Sequence, residues 1–162
     1  MERRFKAFIR KNRKGQVRKV VREHYLRDDL ATEPDGGWGD GECIVIDTNV
    51  ALHQLDFLEN TSSAGVLHNI IVLQTVLEEV KHRNLKVYGR MKKMVQGMGR
   101  RLFVFANEHH ADTYITANPG ESPNDRNDRA IRRAAAWYQS QLSEERGVTL
   151  ITNDRECRAR AV

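Results

Sequence analysis

Short apolar runs alternate with amphipathic stretches along most of the chain. Strands are predicted by the apolar runs at residues 43–46, 69–73, 101–106 and 148–152. Helices are predicted by the intervening and following patterns at residues 49–59, 75–83, 86–97 and 123–142. Strands that alternate with helices favour βαβ units. We therefore predict an α/β fold in which helices cover a central parallel sheet.

The helix predicted at residues 123–142 has the clearest pattern. Ser122 is a typical N-cap residue, and Pro123 suits the first helical position. One apolar stripe follows the spacing of a helix face: Ile131, Ala134, Ala135, Tyr138 and Leu142. Asp128 extends this stripe toward the sheet, although a surface aspartate would more often lie opposite it. Trp137 and Tyr138 are interpreted as packing residues.

Positive charge is concentrated at the N-terminus. Residues 1–22 contain ten Lys or Arg and one Glu, although the net charge of the whole chain is only +5. We predict a basic N-terminal arm at residues 1–16, then a docking segment and Gly-rich loop at 17–42. The pattern at residues 17–26 fits a strand or a short helix equally well. The side chains predicted to contact RNA or an acidic partner are Arg3, Arg4, Lys6, Arg10, Lys11, Arg13 and Lys14.

Composition narrows the class of protein. A chain of 162 residues predicts one domain, here at residues 43–162, with a real hydrophobic core. No apolar run reaches the length of a membrane span, and no apolar segment follows the basic N-terminus as in a secretory signal. Cys43 and Cys157 form no CxxC pair, so we expect reduced thiols in an intracellular protein.

Four carboxylates lie where they favour metal chemistry. Asp47 and Asp154 directly follow strand-like runs, and Glu79 opens the helix after another such run. Open α/β sheets bind ligands at the carboxyl ends of their strands. Together with Asp128, these acids would repel one another unless a cation held them. We therefore interpret Asp47, Glu79, Asp128 and Asp154 as catalytic metal ligands.

Two neighbouring acids receive a structural interpretation instead. Thr75 and Glu78 fit the S/T-x-x-E spacing of a capping box, which would point Glu78 at the helix N-terminus. Ser122 and Asp125 have the same spacing at the start of the helix predicted at 123–142. Helix geometry then leaves Glu79 and Asp128 for the site.

The predicted ligands are all oxygen donors. Hard oxygen ligands suit Mn²⁺ or Mg²⁺ rather than structural zinc. One or two such ions activate water and neutralise charge during an in-line displacement at a phosphodiester. The polar residues predicted to orient ligands or water beside the acids are Thr48, Asn49, Thr152 and Asn153.

Other candidate residues give weaker signals. The run Glu108-His109-His110 has the composition of a metal site, but adjacent side chains diverge, so a structural or surface role is favoured. Arg126, Arg129 and Arg132 would either steer phosphate or form a solvated helix face.

The sequence resembles the PIN-domain ribonucleases. The matching segments include DTNVALHQLD (47–56), IIVLQTVLEEVKHRN (70–84), NDRNDRAIRRAAAWY (124–138) and ITNDRE (151–156). More narrowly, VVREHYLRDDL (20–30) and FANEHHADTY (105–114) resemble the exosome branch, where the PIN domain is the N-terminal part of an RNase II-like exoribonuclease. The four acids fall on the metal-binding positions of this family.

The resemblance implies a three-layer α/β/α fold and Mn²⁺- or Mg²⁺-dependent endonucleolytic cleavage of single-stranded RNA. It also implies docking on exosome core subunits, roles in rRNA processing and RNA decay, and a location in the nucleus and nucleolus. The three-cysteine motif of that branch is absent, since ATEPDGGWGDGEC carries only Cys43. We expect the C-terminal end of the domain to be incomplete.

Two other functions compete with the nuclease. A catalytically silent docking module would use the same fold and basic arm, but the four acids favour the enzyme. A phosphatase of the haloacid dehalogenase type would need a second aspartate two residues after Asp47, where this chain has Asn49.

Overall fold

The N-terminal segment is a β-hairpin in the computed structural model, which describes residues 2–60, 67–97, 102–143, 145–155 and 159, except for the side chains of residues 6 and 8. β1 (Glu2–Lys11) pairs antiparallel with β2 (Val17–Leu26) along its whole length. Residues 17–26 are therefore a strand, and the predicted boundary at residue 16 falls beside the turn of the hairpin. The division into an arm and a docking segment stays a functional prediction.

The hairpin contacts the rest of the chain through its base. Leu26 is buried, and the next residue, Arg27, exchanges backbone hydrogen bonds of 2.8 and 2.9 Å with His109 and Ala111. The ring of His24 stacks on His109 with 4.4 Å between ring centroids. The outward face of the hairpin instead carries five exposed apolar side chains, here called the hairpin apolar strip: Phe5, Ile9, Val17, Val21 and Tyr25.

A four-stranded parallel sheet forms the centre of the fold. Its strands are β3 (Cys43–Ile46), β4 (Ile70–Leu73), β5 (Leu102–Phe105) and β6 (Val148–Ile151). The helices that flank it are α1 (Thr48–His53), α2 (Leu55–Glu59), α3 (Gln74–Arg83), α4 (Leu85–Gly97) and α5 (Pro123–Gln141). The predicted α/β class and its elements are confirmed, except that the single helix predicted at 49–59 is two short helices.

The strand order sets the position of the site. The sheet runs β5-β4-β3-β6, so the chain proceeds outward from β3 to β5 and then returns to place β6 on the other side of β3. This reversal makes the gap between β3 and β6 a topological switch point. In open α/β sheets, ligands bind at the carboxyl ends of the strands on either side of such a point.

α5 packs on the sheet as its sequence pattern predicts. Ile131, Ala134 and Tyr138 are buried in the core. Trp137 stacks on Phe105 of β5 with a centroid distance of 5.4 Å and an interplanar angle of 4°. The packing role of the two helix aromatics is thereby confirmed.

The core also buries a free thiol. Cys43 lies at the start of β3 with no exposed surface, and burial raises the pKa of its thiol. Among the helices that the structure describes, none is long and apolar enough to cross a membrane. The predicted incomplete C-terminal end of the domain lies mostly outside the described residues.

A candidate metal centre at the switch point

Asp47 lies at the junction of β3, α1 and β6. One of its carboxylate oxygens accepts the Val50 N–H at 2.7 Å and so caps α1. The other oxygen accepts the Thr152 hydroxyl and, at 3.2 Å, the Asn153 N–H, both just past the end of β6. The Thr152 hydroxyl in turn accepts the N–H of Asp154 at 3.0 Å. This small network brings the two strand-end aspartates together.

Glu79 reaches the same end of the sheet from α3. Its Oε2 accepts the Thr48 hydroxyl at 2.8 Å and the Asn127 amide at 3.4 Å. Its Oε1 lies 2.6 Å from the guanidinium of Arg83, one helical turn later. Since the Glu79 side chain is only 12% exposed, these contacts fix it between α1 and α5.

Asp128 faces the other three carboxylates from α5. Burial raises the pKa of its carboxyl, and the nearby charges of Asp154, Glu79 and Asp47 raise it further, while Arg132 opposes them. The structure therefore gathers all four predicted acids at the switch point, although they come from four separate parts of the chain.

The chemistry of this cluster fits a divalent cation. Its charged donors are carboxylate oxygens, the ligands that Mg²⁺ and Mn²⁺ prefer, and a cation would relieve the repulsion felt by Asp128. In the described part of the chain, however, no three His, Cys, Asp or Glu side chains already stand as ligands around one point. Like charges separate the acids, and Arg83 neutralises Glu79. The catalytic and metal-ligand roles of the four acids stay predictions.

The polar residues predicted beside the acids are mostly placed as expected. Thr48 donates to Glu79, while Thr152 and Asn153 donate to Asp47. Asn49 lies half-buried in the first turn of α1. Three of the four therefore orient a carboxylate directly.

The predicted capping box at the start of α3 is wrong. The helix begins at Gln74 with Leu73 as its N-cap, because β4 continues into α3 without a break. Thr75 therefore lies inside the first turn, where its N–H donates to the side chain of Asn107 at 3.2 Å. Glu78 is exposed and accepts the Gln74 amide at 2.9 Å. A distant loop supplies the cap that sequence spacing assigned to Glu78.

The second cap is confirmed. The N–H of Asp125 donates to the Ser122 hydroxyl oxygen at 3.1 Å, and that hydroxyl donates back to the Asp125 carboxylate at 2.7 Å. Asp125 is exposed at the helix N-terminus, whereas Asp128 is half-buried one turn further on. The two aspartates of α5 thus have separate surroundings, as predicted.

A buried ion pair that sequence analysis missed joins α3 to α5. Arg126 makes a two-pronged contact with Glu108, and both side chains are at most 13% exposed. Glu108 also accepts the Thr75 hydroxyl at 2.6 Å, and Arg126 donates to the carbonyl of Ile115 at 2.7 Å. Because Thr75 precedes Glu79 by one turn and Arg126 precedes Asp128 by two residues, this pair holds the helices that carry two of the acids.

The Glu108-His109-His110 run forms no shared metal site. His109 stacks against the hairpin, and His110 is buried between Phe105 and Trp137. Burial lowers the pKa of His110. Arg129 pairs with Glu121 at 2.8 Å rather than facing the acids. The side chains of Glu108, His109 and His110 therefore diverge, as predicted.

A groove of about 320 Å³ runs along the outer side of Glu79, between α3 and the start of α5. Its walls include His82 and Arg83 from α3 and Asn124 and Asn127 from α5. Imidazole, guanidinium and amide groups are donors that suit phosphate oxygens. The carboxylate cluster is therefore bordered by a polar channel.

A family profile described as PIN domain matches residues 44–162, which include the parallel sheet except for its first residue, Cys43, and all four acids. The chain belongs to the PIN domain family. Nucleases of this family generally use divalent metal ions. The PIN domain of T. brucei RRP44 has a similar structure, with a TM-score of 0.64 and 28% sequence identity over 71% of this chain and 67% of that one.

Curated relatives extend the similarity to the N-terminal hairpin. The exosome complex exonuclease RRP44 homolog A of Arabidopsis thaliana is 43% identical over 96% of this chain. The exosome complex exonuclease RRP44 of Homo sapiens is 40% identical over 97% of this chain. The chain spans only 17% and 19% of the lengths of these two relatives.

Replacing Arg126 with alanine should strongly destabilise the fold. The Glu108 carboxylate would stay buried without its cation, which costs about 3–5 kcal/mol of unfolding free energy. Arg129→Ala is the matched control, because Arg129 lies one turn later on α5 but pairs with Glu121 at a more exposed position. Urea unfolding of both variants checks this prediction. Equal losses of unfolding free energy would show that the Glu108–Arg126 pair stabilises the fold no more than the Glu121–Arg129 pair.

Replacing Asp128 with asparagine should raise the melting temperature at pH 7 in the presence of a chelator. The folded-state pKa of Asp128 is raised, so its charge costs stability as the pH rises above the unfolded-state pKa, with the full cost above the folded-state pKa, and asparagine removes this cost. The advantage should fade in acid, where Asp128 is protonated in either state.

Asp125→Asn is the matched control on the same helix. It weakens the cap and the favourable negative charge at the helix N-terminus, so its melting temperature should fall. If Asp128→Asn melted below the unmodified chain at pH 7, repulsion among the acids would not be a feature of the site.

Proposed function

We propose that this chain is a divalent-metal-dependent endoribonuclease that cleaves single-stranded RNA. The observation that carries the proposal is the meeting of Asp47, Glu79, Asp128 and Asp154 at the switch point, with Asp128 facing the charges of the other three. An isolated cluster of this kind costs folding stability, and a cation removes that cost. The chain's membership of the PIN domain family supports the same assignment.

The ion would be Mn²⁺ or Mg²⁺, held by these four carboxylates. When bound, it would supply an activated water and neutralise charge on the phosphodiester. The chain itself prepares the ligands. Val50, Thr152 and Asn153 fix both oxygens of Asp47, while Thr48 and Asn127 orient Glu79. Such preorganisation keeps the carboxylates from rearranging during the reaction.

RNA would enter along the groove beside Glu79. His82, Arg83, Asn124 and Asn127 line this groove with hydrogen-bond donors. None of these groups needs a chain end to bind, since each can meet an internal phosphate. We therefore propose endonucleolytic cleavage.

A circular single-stranded RNA gives the decisive test. We expect cleavage with Mn²⁺ or Mg²⁺ and none in excess chelator, and a circle has no ends for an exonuclease to use. Asp128→Asn should lower the rate about a hundredfold or more, because it removes a charge that faces the ion. Asp125→Asn, three residues earlier on the same helix, should retain most of the rate. Full activity of Asp128→Asn, or cleavage in chelator, would exclude the metal mechanism.

We also propose that the chain docks on exosome core subunits through the hairpin. The relatives are named exosome complex exonucleases, and their similarity includes the hairpin. Ile9 and Val17 are 75% and 60% exposed, and exposed apolar residues side by side mark protein contact surfaces. The ten Lys and Arg residues among residues 1–22 would face an acidic rim on the partner.

The same surface would serve the second candidate function, a catalytically silent docking module. Docking alone does not require charge repulsion at the switch point, which is why we favour the enzyme. The two functions separate experimentally. A silent module would bind core subunits and fail the circular RNA test even in the unmodified chain.

The hairpin apolar strip should be required for docking. Ile9→Thr/Val21→Thr removes two exposed apolar side chains and retains β-branched residues that favour strands. We expect its affinity for a reconstituted exosome core to fall about tenfold or more. The control is Phe57→Gln/Leu85→Gln, which changes two exposed apolar residues outside the hairpin. Calorimetry with both variants checks the prediction, and equal affinities would exclude the strip as the docking surface. A loss of RNA binding instead would assign the hairpin to RNA.

A further inference from the structure

Arg83 forms an ion pair with Glu79, a carboxylate that the proposed metal centre needs as a ligand. Its Nη2 lies 2.6 Å from Oε1 of Glu79, while Thr48 and Asn127 contact Oε2. The Glu79 side chain is 12% exposed and the Arg83 side chain 40% exposed. A half-exposed cation of the chain therefore neutralises a nearly buried acid of the site.

A divalent ion and Arg83 would compete for Glu79. Both satisfy the same negative charge, and two cations at close range repel each other. Arg83 can leave Glu79 because its own side chain is 40% exposed, so water can solvate the guanidinium that the carboxylate releases. The Arg83 side chain can move into the groove beside Glu79, because Arg83 lines that groove. Its Nη2 already lies 3.4 Å from the amide oxygen of Asn124 on the opposite wall.

The groove offers Arg83 a second anionic partner. A guanidinium binds a phosphate through two parallel N–H donors, which an ammonium cannot match. The neighbouring arginine of the groove, Arg126, is already held by Glu108 and by the carbonyl of Ile115. Within the described part of the chain, Arg83 is thus the groove arginine whose carboxylate partner, Glu79, is itself a predicted metal ligand.

We propose that Arg83 exchanges partners during the reaction cycle. It pairs with Glu79 when the site holds no ion, and it binds a backbone phosphate of the RNA when a divalent ion occupies Glu79. The inference rests on the proposed metal-dependent nuclease function. It makes Arg83 a substrate-binding residue and predicts that ion and RNA favour each other's binding, since each stabilises the same position of Arg83.

The first measurement is Mn²⁺ binding to the full chain by calorimetry, without RNA. Arg83→Gln should bind Mn²⁺ about threefold or more tightly than the unmodified chain, because Glu79 no longer has to release a cation. The matched control is Lys81→Gln, which removes the same charge from the same helix. Lys81 lies 5.7 Å from the ring of Tyr88 and lines no part of the groove, so its replacement should leave Mn²⁺ affinity unchanged.

The second measurement is binding of a labelled single-stranded RNA by fluorescence anisotropy. Saturating Ca²⁺ replaces Mn²⁺ here, because its looser coordination disfavours catalysis and keeps the RNA intact. Arg83→Gln should weaken RNA binding about threefold to tenfold, since one charge-assisted phosphate contact is lost. Lys81→Gln should change it by less than about twofold. The same variant thus binds the ion better and the RNA worse.

Opposite signs in the two measurements support the exchange. If Arg83→Gln binds Mn²⁺ no more tightly than the unmodified chain, or if Lys81→Gln gains as much, the competition for Glu79 is refuted. Unchanged RNA affinity of Arg83→Gln refutes the phosphate contact. If the unmodified chain binds no divalent ion at all, the proposed nuclease function fails together with the exchange, a result distinct from an Mn²⁺ site that is insensitive to Arg83.

Discussion

Repulsion among carboxylates is the constraint on which the rest of this molecule depends. Four acids reach one end of the sheet because the strand order brings β6 beside β3 and because α3 and α5 open onto the same edge. Burial raises the pKa of the Asp128 carboxyl, and the charges of the other three acids raise it further. Such an arrangement survives only when the surrounding structure holds the acids in place.

Asp47 and Glu79 are restrained by hydrogen bonds, whereas Asp128 is restrained by its helix. Both oxygens of Asp47 accept donors from α1 and from the residues after β6. The buried Glu108–Arg126 pair holds α5 against α3 from the other side of Glu79. A buried ion pair contributes little net stability over an apolar pair, but it admits few alternative arrangements. Its value here is geometric, because it limits how far the two helices can move apart under repulsion.

Elements and site residues are predictable from the sequence where a local pattern has one physical outcome. Apolar runs flanked by helical patterns gave the strands, and strand ends share an edge, so Asp47 and Asp154 were expected to meet. The spacing in α5 separated Asp125 from Asp128 because Ser122 caps the same helix. The capping box predicted at Thr75 and Glu78 is wrong because a non-local contact replaces it. The N–H of Thr75 donates to Asn107, 32 residues later in the chain, and no local spacing could predict that contact.

The two other findings that sequence could not supply are also non-local. Glu108 and Arg126 each look like surface residues, since one follows a strand and the other lies in a charged helix. They pair because β5 and α5 are adjacent in space. The hairpin escaped recognition because apolar and basic residues are interleaved in both strands without a strict period of two, as in Arg18-Lys19 and Val20-Val21. Such interleaving fits an exposed ribbon with two different faces as well as it fits an unstructured arm.

The pairing of Arg83 with Glu79 shows how this fold can tolerate a cluster of carboxylates at the switch point. Without a cation, repulsion among the four acids would favour local unfolding at the switch point, where α1 and α3 begin. A guanidinium from the same helix offsets one of the four charges at close range. Because the arginine of this pair is 40% exposed, water can solvate it when an ion takes its place, unlike the arginine of the buried Glu108–Arg126 pair. The difference in arginine exposure thus distinguishes the Glu108–Arg126 pair, which maintains the fold, from the Glu79–Arg83 pair, which an ion would displace in the proposed exchange.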